Sequence, residues 1–220
     1  ITNGVHQGTW QDPEIGRAYR MGSDLWGPHL ENKKRLLTRI KEETGRTLDL
    51  DTLLLGFARR AATYKRGDLI LRDRSKIVPL LTEGKIQLVF SGKAHPQDEG
   101  GKDMVSRIVS FAREFPDRVV FLQNYDMRLG QLLTRGCDVW LNNPVRPMEA
   151  SGTSGMKAGM NGLLNLSTLD GWWAEGCRHG FNGWQFGDGY EGPNQDEHDL
   201  NALYTTLNNQ VIPTYYHQRQ

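Results

Sequence analysis

The chain is 220 residues long, room for one large domain or two small ones with a sizeable core. Its 27 basic and 26 acidic side chains leave a formal net charge of +1, which excludes the broad positive surface of a nucleic-acid-binding domain. No apolar run approaches the roughly 20 residues a membrane-spanning helix needs.

The first stretch, residues 1–32, is rich in Gly, Trp and polar residues and reads as irregular. No secretory leader is evident there, and the start on Ile1 reads as a cut from a longer protein. From Asn32 to Thr44 the apolar Leu36, Leu37 and Ile40 recur at helical spacing, with Gly45 as a stop. The apolar run from Thr52 to Phe57 has the character of a buried strand. Tyr64 to Leu71 and Ser75 to Leu81 read as helical. The pattern then alternates: a strand at Ile86 to Phe90, a helix at Lys102 to Phe115, a strand at Val119 to Leu122. A short helix at Arg128 to Thr134 closes at Gly136, and Asp138 to Leu141 is a further strand. A brief helix at Ser154 to Asn161, a strand at Leu163 to Leu166 and a helix at His198 to Asn209 complete the pattern. The stretch from Gly187 to Asp199 reads as an acidic surface loop without chemistry. Apolar strands separated by helices predict an α/β fold, a doubly wound, Rossmann-like parallel sheet covered on both faces. Ligands in such folds sit at the carboxyl ends of the strands.

Two constellations fall at predicted carboxyl ends. The first is Arg59-Arg60-Ala61-Ala62-Thr63-Tyr64-Lys65-Arg66, which leaves a strand and enters a predicted helix. Helix amino ends favour anions, and arginine and lysine add phosphate recognition. A solvated basic turn fits the same composition. The second runs from Glu149 through Ser151-Gly152-Thr153-Ser154-Gly155-Met156-Lys157. Its small residues let backbone approach a ligand, but the spacing matches neither a Walker A loop nor GxGxxG. A sheltered lysine has a lowered pKa and can bond to an aldehyde, and Glu149 can accept hydrogen bonds from sugar hydroxyls. On residue types alone, a surface lysine and a capping carboxylate is the simpler reading. His6, His29, His95, His179, His198 and His217 are scattered without metal-ligand spacing, so no metal is expected. Cys137 and Cys177 form no CxxC and read as idle thiols of a reducing compartment. Trp172 and Trp173 read as packing residues, and Lys93 as an exposed lysine in a tight turn.

Taken together, these segments resemble the α-glucan (glycogen, starch, maltodextrin) phosphorylases. Glu149 to Lys157 resembles that family's pyridoxal-phosphate signature, and Arg60 with Tyr64-Lys65-Arg66 its phosphate segment. Thr2-Asn3-Gly4-Val5 with Trp10, Ser91-Gly92-Lys93-Ala94, and Asn124-Tyr125 are similar to further blocks in the same order. The resemblance implies that Lys157 forms a Schiff base with pyridoxal 5'-phosphate, lined by Trp10, Tyr125 and Thr153. It implies that Arg60 and Lys65 bind the substrate phosphate, and that Asn3, Tyr64, Glu149, Ser151 and Gly152 contact the glucosyl unit. In that family the cofactor's phosphate does the acid–base work, and a terminal α-1,4-linked glucosyl unit passes to inorganic phosphate as α-glucose 1-phosphate. Arg59, Ala61 to Thr63, Asp126, Ser154 and Gly155 depart from the usual residues. The implied architecture is the C-terminal, cofactor-bearing half of a two-domain GT-B glycosyltransferase fold. Residues 1–220 then form that domain, 1–32 are an interdomain segment, and the N-terminal domain is absent. The implied setting is the cytoplasm, and a homo-oligomeric full-length parent is compatible with it. On this reading the isolated chain is inactive. A nucleotide-sugar-dependent glucan synthase of the same fold and a non-catalytic sugar- or phosphate-binding domain are the alternatives.

Overall fold

The computed structural model describes residues 3–217; Thr2 of the expected interdomain motif lies outside them. Six strands form one sheet in the order β3-β2-β1-β4-β5-β6, every pairing parallel. They are β1 (Leu53–Ala58), β2 (Ile86–Ser91), β3 (Val119–Leu122), β4 (Val139–Asn142), β5 (Leu164–Thr168) and β6 (Gly183–Phe186). The helices are α1 (Gln7–Trp10), α2 (Pro13–Met21), α3 (Trp26–Thr44), α4 (Arg74–Thr82), α5 (Glu99–Glu114), α6 (Met127–Gly136), α7 (Thr153–Gly159), α8 (Trp173–Gly176), α9 (Gln195–Thr206) and α10 (Ile212–His217).

Every residue of β1 and β2 is buried, as strands covered on both faces must be. Alternate residues feed two cores because successive strand side chains point to opposite faces. Leu53, Leu55, Phe57, Leu88 and Phe90 pack with Ile77, Ile108 and Leu203 of α4, α5 and α9. Leu54, Val89, Val120 and Trp140 pack with Leu36, Ile40, Leu129 and Leu133 of α3 and α6. The doubly wound, Rossmann-like sheet expected from the alternation is the one observed. Gly45 ends α3 in the left-handed conformation at φ 71°, as its position after the helical pattern required.

Three expectations need correction. The stretch 1–32 is not irregular: α1, α2 and the start of α3 lie within it. In α2 the Asp12 carboxylate caps the amides of Glu14 and Ile15, Pro13 opens the helix, and Gly22 closes it at φ 63°. Tyr64 to Leu71 is not one helix but two 3₁₀ turns, Thr63–Lys65 and Leu69–Leu71, broken where Arg66 turns left-handed at φ 48°. The region 187–199 is not all surface loop, because α9 begins at Gln195 and Asp199 is buried. Three elements carry no expectation at all: β6, a four-residue edge strand, the single turn α8, and α10, which lies beyond the helix expected to end at Asn209.

Candidate active site

The sheet order reverses between β1 and β4, and the two key segments leave the carboxyl ends of those neighbouring strands. After β1 the chain stays bound to the end of β2: the Arg59 amide donates to the Ser91 carbonyl at 3.2 Å, and Ala61 to Lys93 at 3.0 Å. This close approach requires glycine at position 92, where φ is 155° and a Cβ would collide with the Arg59 carbonyl oxygen. No true helix starts at this turn, so the charge near Arg59 to Arg66 comes from side chains rather than from a helix amino end.

Arg66 bolts this turn to the loop after β4. Its side chain is buried, with Nε donating to the Asn143 carbonyl at 2.8 Å and Nη2 to the Pro144 carbonyl at 3.0 Å. Nη2 also meets Asp199 at 2.7 Å, and Nη1 meets Asp196 at 2.9 Å. Asn143 Nδ2 donates back to the Arg66 carbonyl, and the Val145 amide donates to the Tyr64 carbonyl at 2.7 Å.

That loop delivers Glu149. One carboxylate oxygen, Oε2, accepts from Arg59 Nη2 and from Lys65 Nζ, each at 2.7 Å. Burial alone would raise the Glu149 pKa, but the hydrogen bond from Lys65 and the charges of Arg59 and Lys65 hold it below the ordinary carboxylate value. Its backbone is fixed as well. The Glu149 amide donates to Asp170 at 2.9 Å, and the Trp172 amide donates to the Ser151 carbonyl at 2.8 Å. Burial pushes the Asp170 carboxyl up.

Lys157 lies on α7, with Nζ 3.8 Å from the centre of the Trp10 ring. Burial lowers its pKa. Buried Asn161 ties the two residues together: Nδ2 donates at 2.9 Å to the carbonyls of Trp10 and Lys157, and Oδ1 accepts the Asp12 amide at 2.7 Å. Arg135 Nε adds a bond to the Trp10 carbonyl at 3.1 Å.

An open cleft of about 440 Å³ joins these parts. Asn3, Arg60, Tyr64, Lys65, Tyr125, Glu149, Ser151, Gly152, Thr153 and Lys157 all line it, so the structure brings together every expected site residue except Trp10. Trp10 reaches the site through the ammonium of Lys157. The Arg60 guanidinium is exposed and has no hydrogen-bond partner among the described residues. Lys93 is exposed and lies apart from the cleft lining. Sequence reasoning left out Arg59 as a site residue, together with Asp170 and Asn161. Arg59 was visible as a cation beside Arg60; the other two act through contacts 21 and 149–151 residues away, which no local pattern signals. Arg59, Arg60, Lys65 and Lys157 against one carboxylate, Glu149, suit the arrangement to anionic ligands. No group of three metal-ligating side chains exists among the described residues, and no described helix is long and apolar enough to cross a membrane.

The family profile for carbohydrate phosphorylases matches residues 22–178. The chain is 41% identical to a glycogen phosphorylase of Aquifex aeolicus, in an alignment covering 98% of this chain and 37% of the relative. It is 42% identical to a maltodextrin phosphorylase of Thermococcus litoralis, covering 100% of this chain and 31% of the relative. It is also 33% identical to a glycogen synthase of Cellvibrio japonicus over 64% of this chain and 27% of the relative. The chain thus spans about a third of the length of the phosphorylases it matches.

Proposed function

The chain belongs to the carbohydrate phosphorylase family, and from that premise we propose that it is the cofactor-bearing part of a glucan phosphorylase. Its reaction is transfer of a terminal α-1,4-linked glucosyl unit to inorganic phosphate, giving α-glucose 1-phosphate. The observation that carries the reading is a half-buried lysine whose pKa burial lowers, under an aromatic ring, in a cleft with three further cations.

These residues fit pyridoxal 5'-phosphate. Lys157 supplies a sheltered amine for the aldehyde, Trp10 a ring face, and Tyr125 and Thr153 further walls. When bound, the cofactor supplies a phosphate group for proton exchange with the substrate phosphate. The chain's own task is to bring two anions together, which like-charge repulsion opposes. In this reading Arg60 and Lys65 bind the substrate phosphate, and Arg59 adds positive charge beside Lys65 at Glu149. Glu149 orients Arg59 and Lys65 and keeps a second oxygen for a sugar hydroxyl. Asn3, Tyr64, Ser151 and the Gly152 backbone complete the glucosyl subsite. Residues 1–220 belong, in this reading, to the C-terminal half of a GT-B enzyme of the cytoplasm, with 1–32 as the interdomain segment.

The similarity to a glycogen synthase favours one second reading, a nucleotide-sugar-dependent glucan synthase. It accounts for the cations and Glu149 but gives Lys157 under Trp10 no task. One experiment separates the two. The chain is incubated with pyridoxal phosphate, reduced with borohydride and mapped by mass spectrometry. Modification confined to Lys157, and lost in Lys157→Ala, is the expected result; scattered or absent modification counts against the phosphorylase reading.

A further inference from the structure

At the opposite end of the sheet from the cleft lies a pocket of about 230 Å³. It opens among the start of α3, the amino ends of β4, β5 and β6, and α10; Trp26, Leu164, Trp184, Val211 and Tyr215 give it an apolar and aromatic wall. His29 and Asp138 also face it.

Asp138 is the centre of a buried polar cluster. Its Oδ1 accepts from His29 Nε2 at 2.8 Å, and its Oδ2 accepts from Lys33 Nζ at 2.6 Å and the Leu54 amide at 2.8 Å. Lys33, fully buried, also donates to the Thr52 carbonyl at 2.8 Å and the Tyr215 hydroxyl at 3.1 Å. The charge of Asp138 is therefore balanced by Lys33 inside the cluster. One atom of the cluster is left over. His29 is 7% exposed, and its Nδ1 is buried without a hydrogen-bond partner among the described residues. With an Nε2 hydrogen directed at the carboxylate, the second ring nitrogen of a singly protonated imidazole is an acceptor. A buried acceptor without a partner is unfavourable, and a ligand donor relieves it.

We propose that this pocket binds a small, neutral, planar aromatic molecule carrying one O–H or N–H donor. Its ring lies against Trp26 and Trp184, and its donor bonds His29 Nδ1. Size fits: an apolar cavity of about 150 Å³ takes up benzene, so this one admits one ring with a substituent or two fused rings. Charge fits too, since the compensated Lys33–Asp138 pair offers no net attraction to an ionic ligand. Asn161, which ties Trp10 to Lys157, also lines the pocket, so the site adjoins the residues of the cleft without sharing its ligands. The inference stands independently of the phosphorylase reading.

The test compares p-cresol with toluene, two molecules of one shape that differ by a donor. Titration of the isotopically labelled chain is followed by NMR at the indole N–H signals of Trp26 and Trp184. Saturable shifts of both signals by p-cresol are expected, with toluene about ten-fold weaker. Thr214→Phe, which narrows the pocket from its rim and leaves the Asp138 cluster intact, should abolish the shifts. His29→Phe should bring the two ligands to equal affinity. Equal binding of p-cresol and toluene by the unaltered chain, shifts that persist in Thr214→Phe, or no saturable shift at all would overturn the proposal. The first two measurements decide the matter even if His29→Phe fails to fold.

Discussion

At Lys157, burial and the Trp10 ring act on one ammonium in opposite directions. Burial favours the neutral amine, while a ring face stabilises the cation by about 0.5–1 kcal/mol at exposed sites and more when desolvated. Burial sets the downward direction of its pKa. Lys157 should therefore react with pyridoxal phosphate near pH 7.5 faster than the exposed Lys34 or Lys102, and Trp10→Ala, by admitting water, should erase most of that selectivity. Mass-spectrometric site occupancies against time measure both. Glu149 behaves in the opposite sense. Its pKa in the folded chain is held below the ordinary 4.5, so it contributes stability that is present above pH 4.5 and lost as pH falls through the folded value. Glu149→Gln, which leaves Arg59 and Lys65 without their counter-charge, should cost about 1–3 kcal/mol at pH 7. The gap between variant and parent should close as pH is lowered from 5 to 3 in urea unfolding. A gap that is independent of pH would remove the ion pair from the account.

Between elements, the decisive contact is Arg66. It joins the turn after β1, the loop after β4 and the start of α9, with its side chain 1% exposed. Removing the cation strands buried Asp199, whereas removing Asp196, whose side chain is 54% exposed, breaks a solvated pair. Arg66→Met should thus cost about 3–5 kcal/mol, and Asp196→Ala less than about 1 kcal/mol, both read from chemical unfolding. Gly92→Ala tests the same junction by backbone alone: a Cβ there meets the Arg59 carbonyl, so a drop in melting temperature should accompany weaker phosphate binding. These contacts also explain which elements were legible beforehand. The buried runs of β1 and β2 and the helical spacing of Leu36, Leu37 and Ile40 are periodic signals. Helix α2 instead announces itself by a cap, Asp12 before Pro13, and by Gly22, so its sparse apolar face passed for irregular chain. Strand β6 (GWQF) lacks the unbroken apolar run that marks the equally short edge strand β3 (VVFL). Arg66 breaks a helical pattern for the sake of carboxylates 130 and 133 residues away, a conflict that only tertiary packing decides.

For the molecule as a whole, the cleft was readable in outline because its residues come from strand ends that a doubly wound sheet must gather. Lys157 itself was readable only through the order of several matching blocks, since a lysine after a Gly/Ser-rich turn is common and its partner Trp10 sits 147 residues earlier in a stretch that looked unstructured. The same geometry sets what the chain can do alone. Anchored cations and the proposed glucosyl subsite occupy one wall, but the cleft is open, and Asn3 and Arg60 stand exposed at it. Phosphorolysis needs water kept from the glucosyl centre and the two phosphates held against their repulsion, and both are strongest in an enclosed, low-dielectric site. The phosphorylases this chain matches are about three times its length, and the resemblance assigns the facing wall to a second domain. The isolated chain is therefore expected to take up pyridoxal phosphate at Lys157 yet release no glucose 1-phosphate from glycogen and inorganic phosphate, within the sensitivity of a coupled assay. Joined to the amino-terminal part of a matching phosphorylase, the same chain should become active, and Arg60→Ala in that joined protein should lower kcat with little effect on cofactor retention. Robust glucose 1-phosphate release by the 220-residue chain alone would show that one wall suffices, and would move the charge-focusing role of the facing domain into residues 1–220 themselves.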